Sequence, residues 1–197
     1  DAEQDGWRDL ELDEVAALGR RLADAVQRVT ATRSWHPVDG PLGTEQRLLT
    51  LYTEPADADE LYSCATVPQA YVREWAEYHL ALARRSEEAP RAIEFEVQTV
   101  YFGTSFLVVT MAGEMSVEYG LGFKREWSSR FGQVWTLGYC NDIVGYVPVR
   151  RQISEGGYEV VDNHRYQLYT GPFTEATEET IRSAVRQSIE GESSCPA

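Results

Sequence analysis

Phe106-Leu107-Val108-Val109-Thr110-Met111, closed by Ala112-Gly113-Glu114, and Val134-Trp135-Thr136-Leu137-Gly138-Tyr139-Cys140, closed by Asn141, decide how this chain reads. Each is an apolar run of strand length that ends in polar groups. Residues 115–128 between them carry a helical pattern. The unit therefore reads β-α-β, with parallel strands and a right-handed crossover. Glu114 and the loop from Asn141 to Tyr146, followed by Val147-Pro148, then fall at the carboxyl end of one sheet. Open α/β sheets place ligand sites there. A carboxylate and a phenol meeting at such a place have the chemistry to hold a metal, orient a substrate or move protons.

Outward from this unit, helices and strands continue to alternate. Leu12, Val15, Ala16, Leu18, Leu22, Ala25, Val26 and Val29 follow helical spacing, with Arg20, Arg21 and Arg28 on the opposite side. His36-Pro37 and Gly40-Pro41 break that helix. Residues 45–53 read as a strand. Pro55 to Glu60 is an acidic connection or the first turn of a helix, where carboxylates suit the macrodipole. Pro68 to Arg85 is a second helix, with Tyr71, Val72, Trp75, Tyr78, His79 and Leu82 on one face. Ile93 to Gln98 alternates as a half-buried strand, and Gly103-Thr104 turns the chain into the run at Phe106. Residues 133–140 form the next strand, and a short turn or helix follows Tyr146. Thr174 to Ile189 is a last helix that Thr174 or Thr177 can cap. Residues 191–197 read as a flexible tail. The fold class is α/β, a mixed β-sheet flanked by helices, in a single unit over 1–197.

The composition narrows the function. With 197 residues and 43% hydrophobic content the chain has enough material for one sizeable core. A net charge of −14 argues against nucleic acid as a partner, which needs a basic footprint. No apolar run approaches the roughly 20 residues of a transmembrane segment. Cys64, Cys140 and Cys195 show no CxxC spacing and suggest no disulfide framework. Cys140 reads as a small buried residue closing its strand.

There is no HExxH, phosphate-binding loop, GxSxG elbow or dinucleotide fingerprint. Gly120-Leu121-Gly122 is an isolated GxG inside a helical pattern. His36, His79 and His164 show no metal-ligand spacing, and His79 reads as a packed residue beside Trp75. Glu114 reads either as a carboxylate at a helix amino terminus or as a functional group. A Cys140–His164 nucleophile pair is a distant alternative.

Gly113-Glu114, Gly138-Tyr139-Cys140-Asn141 and Tyr146, five residues after Asn141, together resemble the neutral/alkaline non-lysosomal ceramidase family, in its bacterial branch. Tyr158-Glu159 and Tyr169-Thr170-Gly171-Pro172 extend the resemblance, and distinctive motifs span residues 108–172. Ala112 stands where the family has proline. The resemblance implies the carboxy-terminal part of a larger catalytic domain that hydrolyses the amide of ceramide or a related N-acyl lipid with zinc-activated water. It maps two zinc ligands onto Glu114 and Tyr146, and leaves Asn141, Tyr158 and Glu159 for substrate or for orienting the ligands. The family's two histidine ligands belong to an amino-terminal half, the implied partner, and His36, His79 and His164 do not take their place. By itself the chain is then expected to be inactive. The alternative is a non-catalytic binding module on the same scaffold.

Overall fold

The computed structural model describes residues 10–32 and 35–191, and the residues expected to form a tail beyond Gly191 lie outside that range. The chain divides into two compact units, Asp1–Pro37 and Val38–Ala197.

The first unit is built on helix α1 (Leu12–Ala31), over the span that the periodicity predicts. Asp13 and Glu14 in its first turn and Arg28 in its last complement the helix dipole. The backbone N–H of Glu11 donates to the Glu14 carboxylate at 3.0 Å. The expected apolar stripe is present, but no residue of α1 is buried, and Leu12, Leu22 and Val29 are all exposed.

The second unit runs β1 (Leu42–Tyr52), α2 (Ala58–Cys64), α3 (Ala70–Arg84), β2 (Ala92–Phe102), β3 (Phe106–Met111), β4 (Glu114–Met115), α4 (Val117–Trp127), β5 (Gln133–Leu137), β6 (Tyr146–Val147), α5 (Arg150–Glu155), α6 (Tyr158–Val161), α7 (Asn163–Tyr166) and α8 (Thr177–Glu190). Four strands form a mixed sheet in the order β1-β2-β3-β5. The first two pairings are antiparallel, and β3 pairs with β5 in parallel across α4, as the β-α-β reading expects. Asp57 caps α2 by accepting from the Glu60 N–H at 2.8 Å, so the acidic connection does become a helix start.

β1 and β2 extend past the predicted spans, to Leu42 and Phe102, and three further readings differ. β5 stops at Leu137 rather than at residue 140, because Tyr139 and Asn141 adopt left-handed backbone at φ 57° and 70°. Glu114 is not a helix-terminal carboxylate: it lies in a two-residue strand, and Ser116 caps α4. Neither threonine caps α8, whose N-cap is Ala176 with no side-chain bond.

The sheet's two faces differ. Leu51, Phe95, Val97, Leu107, Val109 and Val134 point to one side and pack against Tyr119 and Phe123 of α4 and Ile181, Val185 and Ile189 of α8. The cross-strand register assembles the other face. Thr44, Val100, Val108 and Trp135 form one row, and Leu42, Phe102 and Phe106 the next. Phe106 sits edge-on to Trp135 at 5.1 Å, and Trp135 is 56% exposed. Leu48 and Leu137 are also exposed on this face, but the same register puts Gln46, Gln98, Glu96 and Thr110 there, so its apolar part is a patch around Trp135 and Phe106 that α4 and α8 do not cover.

A second core joins α2 and α3: Leu61, Cys64, Val72, Trp75, Ala76 and Leu80. Trp75 is its centre, and its indole N–H donates to the Tyr169 carbonyl at 2.7 Å. His79 Nε2 meets the same carbonyl at 3.2 Å and is therefore the protonated nitrogen. His79 is packed, as expected. His164, in a stretch that reads as polar, is instead buried edge-on to Trp75 at 5.2 Å. Its Nδ1 faces the Val160 carbonyl at 3.4 Å, and its Nε2 is buried without a partner.

These two imidazoles make the fold acid-sensitive. Burial holds both below the usual imidazole range. The carbonyls of Tyr169 and Leu168 pull His79 back up. Around His164, Arg165 opposes protonation while Glu60 and Asp162 favour it. A base whose folded pKa is depressed takes up protons more readily when unfolded, so its stabilisation is complete above about pH 6.5 and declines as pH falls through the window below. Urea midpoints are expected to be level from neutrality upward and to drop below that pH. His164→Phe should flatten part of the drop, and an unchanged slope in that variant would remove His164 from this account.

Candidate functional site

The candidate site begins where β3 ends. Gly113 takes φ 146°, and a Cβ there would stand 2.9 Å from Val147 Cγ2. Glycine thus lets the chain pass close beneath β6. The Glu114 N–H donates to the Gly145 carbonyl at 2.9 Å, and the Ser116 N–H to the Val147 carbonyl at 3.2 Å. These bonds make β4 and β6 a short parallel pair in which Glu114 is the direct partner of Tyr146. The two side chains therefore emerge on the same face.

Tyr146 is held from behind. Asn163 accepts from the Tyr146 N–H at 2.8 Å and donates to the Tyr146 carbonyl at 3.1 Å. Gly145, at φ 85°, leaves the room: a Cβ there would lie 2.3 Å from Asn163 Oδ1. Asn163 is itself buried. Tyr119, beneath the following turn, donates its hydroxyl to the Pro148 carbonyl at 3.1 Å.

Glu114 faces two phenols. Its hydrogen bond to Tyr139, with desolvation and its charge adding, pushes that hydroxyl up to about 12. Tyr146 is raised first by desolvation, then by the Glu114 charge, with Glu159 adding to it. Glu114, Tyr146 and Glu159 share a cleft of about 250 Å³ with Pro148 and Gln152. A second cleft, of about 360 Å³, opens on the other side of Glu114 between α4 and the end of β5, with Tyr139 on its wall. The Tyr158 ring stands edge-on to Tyr146 at 5.8 Å. It begins an aromatic row that continues through Tyr166 to Tyr71, whose rings stack at 4.2 Å.

Of the five residues singled out from sequence, the fold brings Glu114, Tyr146, Tyr158 and Glu159 together. Asn141 is turned elsewhere: its side-chain amide donates to the Glu96 carboxylate at the sheet. Tyr139 and Asn163 escaped sequence reasoning. Tyr139 was hidden inside an apparent strand, and Asn163 lies 17 residues from the backbone groups it binds. Cys140 is half-buried rather than buried, with its Sγ near the Gly138 carbonyl at 3.4 Å, whereas His164 lies in the α2–α3 core against Trp75.

No family model, curated protein or solved structure matches this chain.

Glu114 and Tyr146 are two oxygen donors of kinds that zinc accepts, in positions that converge. Zinc usually takes three or four protein ligands. Among the described residues no group of three or more His, Cys, Asp and Glu side chains is placed to hold a metal ion. Glu114 and Tyr146 by themselves are fewer donors than a zinc site uses.

Proposed function

We propose that this chain is the carboxy-terminal part of a zinc-dependent amidohydrolase resembling the neutral ceramidases. It would contribute Glu114 and Tyr146 to a site completed by two histidines of an amino-terminal half. The pairing of Glu114 with Tyr146 across β4 and β6 carries the reading, because it sets a carboxylate and a phenol side by side at a cleft. The uncovered apolar patch around Trp135 and Phe106 supports it. A second layer of the same domain would cover Trp135, Val108 and Phe106.

When bound, zinc lowers the pKa of a water and polarises the scissile carbonyl. The chain's own residues set the surroundings of that chemistry. Asn163 fixes the backbone that carries the Tyr146 phenol. Tyr139, on the wall of the same cleft as Glu114, would help to orient its carboxylate. Glu159 lies across the cleft, where a carboxylate can accept a proton or receive the leaving amine as its ammonium. Tyr158 offers an apolar ring beside Tyr146 for an N-acyl lipid. The same open face also suits a non-catalytic module that uses the scaffold to bind a partner.

The test pairs the chain with the amino-terminal half of such a domain and measures zinc content and amide hydrolysis, with folding followed by circular dichroism. Glu114→Ala and Tyr146→Phe are expected to lose zinc and activity together while the fold persists. Zinc content and turnover unchanged in both variants would remove the ligand assignments. A folded assembly with neither zinc nor turnover would leave the binding module as the better reading.

A further inference from the structure

We propose that the cleft between α4 and β5 is a binding groove for an anionic amphiphile, a fatty-acid carboxylate being the class meant, with Lys124 as its charge anchor. The groove's floor and walls include Met111, Met115, Val117, Leu121 and Tyr139, and its volume is about 360 Å³. Val117 is 72% and Leu121 47% exposed. They lie four residues apart on α4 and so make one apolar strip. These side chains give the cleft an apolar lining of a size that can seat part of an alkyl chain.

Lys124 selects the ligand's charge. It is the single lysine of the sequence, in a chain whose net charge is −14. It sits on the groove's wall. Ion pairs occupy Arg150, Arg151, Arg165, Arg182 and Arg186 of this unit. Glu118, one and a half turns back on α4, pairs with Arg151, and Glu126 pairs with Arg186. The two carboxylates on α4 nearest to Lys124 are thus engaged elsewhere. Lys124 lies seven residue steps after Val117 on α4, a rise of about 10 Å. The groove therefore presents an apolar stretch of that length ending in a cation. Glu114, also on the groove's lining, repels a carboxylate and so favours the orientation that sets the ligand's head at Lys124.

The groove shares Glu114, Met115, Ser116 and Val117 with the cleft beside Tyr146, but binding there needs neither metal nor turnover, so its failure and that of the zinc reading are distinguishable. Titration of the isolated, metal-free chain with dodecanoate, below its micelle concentration and followed by calorimetry and amide chemical shifts, tests it. Dodecanoate is expected to shift resonances of Val117, Leu121, Lys124 and Tyr139 and to bind more tightly than dodecan-1-ol. A partly solvated ion pair corresponds to about fivefold in affinity. Lys124→Gln should abolish that preference, Lys124→Arg should keep it, and Leu121→Ser should weaken both ligands. Equal binding of acid and alcohol to the unaltered chain, or shifts confined to other surfaces, would overturn the proposal.

Discussion

Trp75→Ala is expected to be the most damaging single substitution in the second unit, at about 3–5 kcal/mol. Trp75 is fully buried and is the largest side chain of the α2–α3 core. Its ring is met edge-on by His79 at 5.5 Å and by His164 at 5.2 Å. The Arg165 guanidinium lies 5.5 Å from the ring centre, and that arginine also pairs with Glu60 and Asp162. Truncation leaves a cavity, frees the Tyr169 carbonyl of its shortest hydrogen bond and removes the aromatic face beneath a cation. For a domain whose stability is of the order of 5–15 kcal/mol, this is a large fraction. Urea denaturation measures the loss. Hydrogen exchange should place it first in α2 and α3, because the α4–α8 core is packed from different residues. Trp75→Phe, which keeps most of the volume but not the N–H, should cost about 1–3 kcal/mol. A Trp75→Ala chain with unchanged midpoint would show that the α2–α3 core does not limit stability.

Gly145→Ala carries the second large effect, at about 2–4 kcal/mol, from a strained positive φ and the displacement of Asn163. The added methyl cannot share space with Asn163 Oδ1, 2.3 Å away. If Asn163 yields, the Tyr146 N–H and carbonyl lose their partners inside the protein. The phenol should then lose its fixed place beside Glu114, which a weakened cross-peak between the Tyr146 and Tyr158 rings would report. Asn163→Ala separates the causes, since it removes both hydrogen bonds without straining Gly145. It should reproduce the movement of Tyr146 at a smaller cost in stability. An Asn163→Ala chain in which Tyr146 keeps its ring contact would show that the β4–β6 pairing alone positions it.

The carboxylate–phenol pair was legible because strand periodicity and glycine punctuation fix where Met111 and Gly113 leave the sheet. A β-α-β connection then forces the ends of β3 and β5 to the same side. What surrounds the pair was not legible. Tyr139 reads as one more strand residue, and only its left-handed backbone turns it toward Glu114. Asn163 gives no local signal, because its hydrogen bonds go to backbone groups far away in the chain. His164 looks polar by its neighbours, yet the packing of α7 on α3 buries it beside Trp75. Asn141 has the spacing of a site residue, but its amide is taken by Glu96 from a strand 45 residues earlier.

The sequence by itself determined the mixed α/β class, the helices at Leu12–Ala31 and Ala70–Arg84, and the parallel β3–β5 pair, because hydrophobic period and breaker residues act locally. Tertiary structure alone decided which further groups surround the Glu114–Tyr146 pair and which apolar patches stay open. Those outcomes depend on contacts between residues far apart in the chain, such as Asn163 with Tyr146 and Asn141 with Glu96, which no local pattern encodes.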